Sequence, residues 1–418
     1  MTKFIVEGSA TLQGSIKVGG SKNAALPILA ATLLATKPVR LSNVPAIRDV
    51  DVMLEALEAF GMKVVRTEGS VELDPADLHA AIVPDSLATN LRASLLLLGP
   101  ALARFGEYDS VHPGGDLIGK RPLDTHFRAL EAMGAVVTED RHRYHVRAKR
   151  LRGTAVFLEE PSVTATENVL MAGVYAEGET VIKNAASELH VRDLAHFLET
   201  LGGRIAGAGT NKVVVQGDAK LDGGAYTIRA DEVEAGTLAI AGALTGGDIR
   251  LTGVDPEHFG LILVKLREAG VNLETRKGEI RITGPHRLSG TNLKTHTWPG
   301  FPTDLSSPFT VLMTQAKGIS LIHDHMYEGR FFYTDKLVSM GANITMADPH
   351  RVIVFGPTKL HGHEVESPDI RAGVTMVLAA LVADGTTTID HAELIDRGYE
   401  RVDERLTALG AKITRVAE

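Results

Sequence analysis

The chain has no cysteine among its 418 residues. Disulfides, thiolate metal sites and cysteine nucleophiles are therefore excluded. Aromatic residues make up only 5% of the sequence, against 42 glycines. That balance points to tight turns and small-residue packing. Positive charge is not in excess: the net charge is −8. A general nucleic-acid binder is disfavoured, and any anion site must be a local gathering of Lys and Arg. Long hydrophobic runs are missing too. The longest, near Leu26–Ala35 and Leu95–Ala103, fall far short of a membrane span. The opening Met1-Thr2-Lys3-Phe4-Ile5-Val6-Glu7-Gly8 has no apolar stretch of signal-peptide length. A cytoplasmic protein without membrane insertion is the expectation. Hydrophobic content of 44% and charged content of 23% are those of an ordinary folded chain. Its length suffices for two or three domains.

What is present is repetition. A Leu, three residues and a Gly, followed by a strand-like run, recur six times. The copies begin Leu57-Glu58-Ala59-Phe60-Gly61, Leu130-Glu131-Ala132-Met133-Gly134 and Leu198-Glu199-Thr200-Leu201-Gly202. They continue as Leu266-Arg267-Glu268-Ala269-Gly270, Leu337-Val338-Ser339-Met340-Gly341 and Leu406-Thr407-Ala408-Leu409-Gly410. The glycines are spaced by 73, 68, 68, 71 and 69 residues. The motif predicts an amphipathic helix closed by a left-handed Gly, with a strand directly after it. Ahead of each copy lies a segment apolar on nearly every face: Ala24–Ala35, Ala93–Ala103, Asn168–Ala176, Ala235–Leu244, Phe309–Ala316 and Gly373–Ala383. A helix of that kind is buried. Six α/β repeats suggest two domains of three, divided near Gly223-Gly224, with a cleft and a hinge between them.

The starts of these apolar helices carry unusual charges. Lys22-Asn23, Arg92 and Arg371 stand at three of them, and Thr303-Asp304 at a fourth. Ser162, Thr303 and Asp369 read as N-caps. Lys and Arg oppose the helix dipole there, and a bound anion gives them a reason. Arg330, Arg397 and Arg401 are further cations, and Arg397–Arg401 also reads as an ordinary salt-bridged helix start. The segment His112-Pro113-Gly114-Gly115-Asp116-Leu117-Ile118-Gly119-Lys120-Arg121-Pro122 cannot be a regular element. Alone it reads as a turn with solvated charges. Set beside the cationic helix starts, it reads as a lid over an anionic substrate.

Four motifs carry a resemblance. They are Gly19-Gly20-Ser21-Lys22-Asn23-Ala24-Ala25-Leu26-Pro27, Pro113-Gly114-Gly115-Asp116 with Gly119-Lys120-Arg121-Pro122, Pro299-Gly300-Phe301-Pro302-Thr303-Asp304, and Ile395-Asp396-Arg397-Gly398-Tyr399-Glu400-Arg401. Together, in order and over essentially the whole chain, they resemble the UDP-N-acetylglucosamine 1-carboxyvinyltransferases, a family of enolpyruvyl transferases. The resemblance implies a two-lobed, inside-out α/β barrel with three repeats of roughly 70 residues per lobe. The N-terminal lobe would span 22–229 and the C-terminal lobe 1–21 plus 230–418. It implies transfer of the enolpyruvyl group of phosphoenolpyruvate to the 3-hydroxyl of UDP-N-acetylglucosamine, by addition and elimination. No cofactor, metal or nucleic acid is implied, and a monomer is expected. By the same resemblance Lys22, Arg121 and Arg397 hold phosphoenolpyruvate, through guanidinium forks suited to oxyanions. Asn23 and Asp304 face the sugar, with Asp304 the base for the 3-hydroxyl. Arg92, the run Arg121, Pro122, Leu123, Asp124 and Thr125, and Ser162, Val163 and Thr164 line the nucleotide, with Met326 adding a backbone contact. Arg330, Asp369 and Arg371 complete the site, and Asp116 is the acid that protonates the methylene carbon.

Two positions depart from the family pattern. Most members carry cysteine where this chain has Asp116, so the epoxide fosfomycin, which alkylates that thiol, should not label it. Some members have Lys where this chain has Glu160, so no diphosphate contact is carried over to it. Other signals are discounted. His323-Asp324-His325 could suggest a metal, but a polar strand end is the simpler reading, as for His361-Gly362-His363. The basic run Arg141–Arg150 alternates and reads as the solvent face of an edge strand. Gly207-Ala208-Gly209 is too short for a dinucleotide site. The alternatives are the sister enzyme 5-enolpyruvylshikimate-3-phosphate synthase and a sugar-nucleotide-binding protein without catalysis.

Overall fold

The spacing of the repeated motif has a hydrogen-bond cause. In the computed structural model, the residue after each motif Gly donates its N–H to the carbonyl of the motif Leu, five residues back. Met62 bonds Leu57 at 3.1 Å, Ala135 bonds Leu130 at 3.0 Å, and Gly203 bonds Leu198 at 2.9 Å. Val271 to Leu266, Ala342 to Leu337 and Ala411 to Leu406 span 3.0, 2.9 and 3.0 Å. This is the Schellman closure, and it needs a left-handed residue at the turn. Gly61, Gly134, Gly202, Gly270, Gly341 and Gly410 supply it, with φ between +84° and +110°. All six leucines are at most 1% exposed, so each cap is fastened to the core by an apolar anchor. Burying one such side chain contributes about 2 kcal/mol.

Residues 2–80, 82–116, 118–284 and 287–417 are described. By their contacts they form two compact units. One holds residues 20–115 and 121–229, the other the described residues of 1–19, 116–120 and 230–418. Each has its own hydrophobic core. The fold is mixed α/β, with six sheets among the described residues, five of four strands and one of three.

Sheet order repeats as the sequence does. In one repeat Leu293–Lys294 runs parallel to Gly318–His323, which pairs antiparallel with Arg351–Gly356, which pairs antiparallel with Asn343–Asp348. The sheet made of Glu364–Glu366, Thr386–Asp390, Thr2–Glu7 and Lys412–Ala417 has the same order, but the chain's first strand takes the third place. In the same way Gln13–Lys17 runs beside Asp248–Thr252, and Gly224–Thr227 beside Val39–Ser42. Each unit is thus closed by strands taken from distant parts of the chain.

The apolar helices are buried as expected. All of Ala24–Ala31 is buried in helix Lys22–Ala31, and all of Ile370–Leu381 in helix Ile370–Val382. Three of the six are not α-helix throughout, the first of them ending in the 3₁₀ turn Thr32–Leu34. Arg92–Leu97 and Thr303–Leu305 are 3₁₀ turns that run into helices Leu98–Phe105 and Ser306–Thr314. Pro100 and Pro308 stand in the first turns of those helices and have no N–H to give to the carbonyl four residues back, which favours a tighter entry. The basic run is corrected in one respect. Strand Arg143–Arg147 lies between Glu107–Val111 and Val136–Glu139, not at an edge. Its alternation holds, with Tyr144 and Val146 buried, and its cations meet acids rather than bare solvent. Arg147 pairs with Asp109 at 2.6 Å and Arg143 with Asp85 at 2.6 Å.

Candidate active site

In the unit of residues 20–229, the first apolar helix opens at Lys22. Ser21 caps it by accepting the Ala24 N–H at 3.4 Å. The Lys22 ammonium lies 2.8 Å from Asp49, in the first turn of helix Arg48–Ala59. Asp49 is 3% exposed and was not singled out in the sequence, where it reads as an ordinary acid at a helix start. Helix Lys22–Ala31 packs against the 3₁₀ turn that opens with Arg92. The Arg92 guanidinium donates to the carbonyl of Arg121, the residue that begins the run to Thr125. That run leads into helix Asp124–Ala132, where Thr125 is buried while Pro122 and Asp124 are exposed. His126 follows, with Nε2 2.8 Å from the Thr164 hydroxyl. Burial, then the Arg92 charge, push its imidazole down to about 3, so it is neutral. Ser162 caps helix Val163–Gly173 through the Ala165 N–H at 3.4 Å. Arg92, Arg121–Thr125 and Ser162–Thr164 therefore form one connected group, with His126 as a member that the motifs missed. Glu160 is exposed.

The glycines of the loop are required by close approach. A Cβ on Gly114 would meet the Thr89 carbonyl oxygen at 1.7 Å. Gly115 has φ +110°, and a Cβ there would lie 2.9 Å from that of Arg92. They deliver the chain to Asp116, which belongs to the other unit. Leu117 lies outside the described residues.

That second unit gathers the remaining charges. Asp116 Oδ1 accepts from Arg397 Nη1 at 2.6 Å, with both side chains less than one-fifth exposed. Arg397 is the last residue of the 3₁₀ turn Ala392–Arg397. Asp304 is held from two sides. Arg330 Nη2 reaches Oδ1 at 2.9 Å, while Arg371 Nε and Nη2 reach Oδ2 at 3.1 and 2.9 Å. The two guanidiniums are buried, and each lies over a tyrosine ring, Tyr327 and Tyr399 at 5.4 and 5.2 Å. Ion pairing and aromatic faces together offset the cost of burying them. Asp369 caps helix Ile370–Val382, accepting from Arg371 N at 2.7 Å and Ala372 N at 2.8 Å. Burial holds its carboxyl above the usual range, and the charge of Asp116 adds to this against the two N–H groups. Met326 donates its N–H to Asp324 at 3.1 Å. Asn23 and Val163 stand at their helix starts as half-buried residues. Among the described residues no group of three His, Asp or Glu is placed to hold a metal.

Asp304 is thus held between two buried guanidiniums, and Asp116 is an acid on a loop held by a third cation, Arg397. The EPSP synthase (3-phosphoshikimate 1-carboxyvinyltransferase) family matches residues 6–406. A UDP-N-acetylglucosamine 1-carboxyvinyltransferase of Bradyrhizobium diazoefficiens is 45% identical, over 100% of this chain and 98% of its own. One of Borrelia garinii subsp. bavariensis is 42% identical over 100% and 99%. The chain belongs to the UDP-N-acetylglucosamine 1-carboxyvinyltransferase family. Solved structures agree on the fold of this enolpyruvyl transferase family. The enolpyruvyl transferase NikO from Streptomyces tendae superposes with a TM-score of 0.90 at 23% identity, covering 100% of this chain and 99% of NikO. An EPSP synthase from Acinetobacter baumannii gives 0.78 at 22% identity, covering both chains in full. No helix among the described residues is long and apolar enough to cross a membrane.

Proposed function

We propose that this protein moves the enolpyruvyl group of phosphoenolpyruvate onto the 3-hydroxyl of UDP-N-acetylglucosamine and releases phosphate. Full-length identity of 45% with a relative bearing that name supports the reading. The observation that carries it is the Asp116–Arg397 pair at 2.6 Å, an acid placed against a cation able to bind the donor. In the addition step Asp304 takes the proton of the 3-hydroxyl. The oxygen attacks C2 of the donor, and Asp116 gives a proton to C3, so that the methylene becomes a methyl group. The product is a tetrahedral ketal that still carries phosphate. Elimination removes a proton from that methyl group and expels the phosphate. Lys22, Arg121 and Arg397 hold the donor's anionic groups, as oxyanions demand. Asn23 faces the sugar. Arg92, Arg121–Thr125, Ser162–Thr164 and the Met326 backbone hold the nucleotide, with Arg330, Asp369 and Arg371 organising the acid. This reading assigns the charged residues named above to a single reaction. It places the protein in the cytoplasm, at the first committed step of peptidoglycan synthesis, working as a monomer without a cofactor.

The pairing also supplies a route for the proton. Donor phosphate competes with Asp116 for Arg397. Once the guanidinium turns to the phosphate, the Asp116 carboxyl is released from that partner.

The match to the EPSP synthase family supports a second reading with the same donor and 3-phosphoshikimate as acceptor. Phosphate release measured with each acceptor in turn tests both. Release with UDP-N-acetylglucosamine alone is expected. Release only with 3-phosphoshikimate reverses the assignment, and nucleotide binding with no release from either leaves a non-catalytic protein.

A further inference from the structure

Behind the Asp304 cluster stands a second acid, Asp324, with no exposed surface. Its backbone is fixed on both sides by one residue. Asp324 N donates to the His350 carbonyl at 2.9 Å, and the Asp324 carbonyl lies 2.8 Å from His350 Nδ1. Its carboxylate has two clients. Oδ1 accepts the Met326 N–H at 3.1 Å, and Oδ2 bonds the Thr303 hydroxyl. The Thr303 oxygen in turn accepts from Arg330 Nε at 3.1 Å. A guanidinium can only donate, and a hydroxyl has one proton. The direction of the chain is therefore settled: Arg330 N–H to Thr303, and Thr303 O–H to Asp324. The same Arg330 gives Nη2 to Asp304. Its plane is fixed by Thr303 at Nε and by the acid it serves at Nη2. Arg330 is 5% exposed, so water has little access to orient it. Asp304 is already shared with Arg371.

We infer that Asp324 is a positioning residue for the transfer: by fixing the proton of Thr303 it sets the plane of Arg330 and the aim of Asp304 at the acceptor hydroxyl. This rests on Asp304 acting as the base. The His323-Asp324-His325 run is thereby explained without a metal, since its central acid points into the protein and is occupied there.

The test is a set of four variants, D324N, T303V, T303S and T303V/D324N, assayed by phosphate release with thermal midpoints measured alongside. D324N keeps the shape but cannot accept from both Thr303 and Met326. A displaced reacting group costs on the order of 10–100-fold in turnover. The expected result is that loss in kcat for D324N and for T303V, with KM for phosphoenolpyruvate within about twofold of wild type. T303S keeps the hydroxyl and should retain turnover within about threefold. The double variant should be no worse than the weaker single one, because both cuts break one chain. D324N at wild-type turnover, T303S as impaired as T303V, or losses that multiply would each overturn the inference. Should D324N fail to fold, the T303V and T303S pair decides alone. A wild type inactive with UDP-N-acetylglucosamine removes the functional reading itself. An active wild type with unaffected variants removes only the role of Asp324.

Discussion

Arg397 presents Nη1 to Oδ1 of Asp116 at 2.6 Å, and the two are 281 residues apart in sequence. A loop acid and a cation from the last repeat are thus already in contact. General acids contribute about 10²–10⁴-fold to turnover. Asp116→Asn should lower kcat by at least about 100-fold. Asp116→Cys should keep measurable activity and move the basic limb of the pH profile upward, since a thiol has a reference pKa of about 8.5 and an aspartate about 3.9. The check is turnover across pH for wild type and Asp116→Cys. An identical basic limb in both would show that residue 116 is not the titrating acid.

The same position carries a prediction for fosfomycin. The protein has no cysteine anywhere, so no thiolate is available for alkylation. Intact mass after incubation should be unchanged for wild type and raised by one adduct for Asp116→Cys. An adduct on residue 116 of the wild type would contradict this.

Much of this was legible in the sequence because it is periodic or chemically out of place. The Leu-to-Gly spacing follows from a five-residue hydrogen bond, so a local rule fixed six helix ends. Lys22, Arg92 and Arg371 stood out because cations are disfavoured at helix starts. Their partners were hidden for the opposite reason. Asp49 near a helix start is what the dipole favours, and nothing local tells it from any other acid there. Asp324 lies between two histidines in what reads as a polar strand end, and its link to Thr303 spans 21 residues of chain. The sheet place taken by Thr2–Glu7, between Thr386–Asp390 and Lys412–Ala417, is a long-range pairing with no local signal. The edge reading of Arg143–Arg147 failed because charge on one face of a strand reports exposure of that face, not whether both edges are paired.

Asp49 offers a stability test distinct from catalysis. It lies 2.8 Å from Lys22, and the side chains are 4% and 12% exposed. Breaking a buried pair from one side costs on the order of 3 kcal/mol. Asp49→Asn should lower the unfolding free energy by an amount of that order, with a lower urea midpoint. It should also raise KM for phosphoenolpyruvate, because the ammonium loses the carboxylate that orients it. An unchanged midpoint and KM together would remove Asp49 from the account.

Glu234 gives the pH dependence of stability. Its Oε2 accepts the Gly19 N–H at 2.6 Å, and Oε1 pairs with Arg405. Burial pushes the carboxyl up from 4.5 to about 7, outweighing Arg405 and the Gly19 N–H, with Asp231 and Glu400 raising it further. An acid raised on folding binds more protons in the folded chain between its two values. The stability it contributes is therefore complete below about 4.5 and is lost as pH rises through about 7. The difference of 7 − 4.5, or 2.5 units, corresponds to about 3 kcal/mol across that window. Glu234→Gln has no such proton to lose. Removing the partner of Arg405 shifts its stability by an offset that does not vary with pH, because arginine stays charged. The unfolding free energy of wild type minus that of Glu234→Gln should fall steadily between pH 5 and pH 8. Denaturant titrations at four pH values measure it. A difference that stays flat would mean that Arg405 keeps Glu234 ionised throughout, and that pairing outweighs burial at this position.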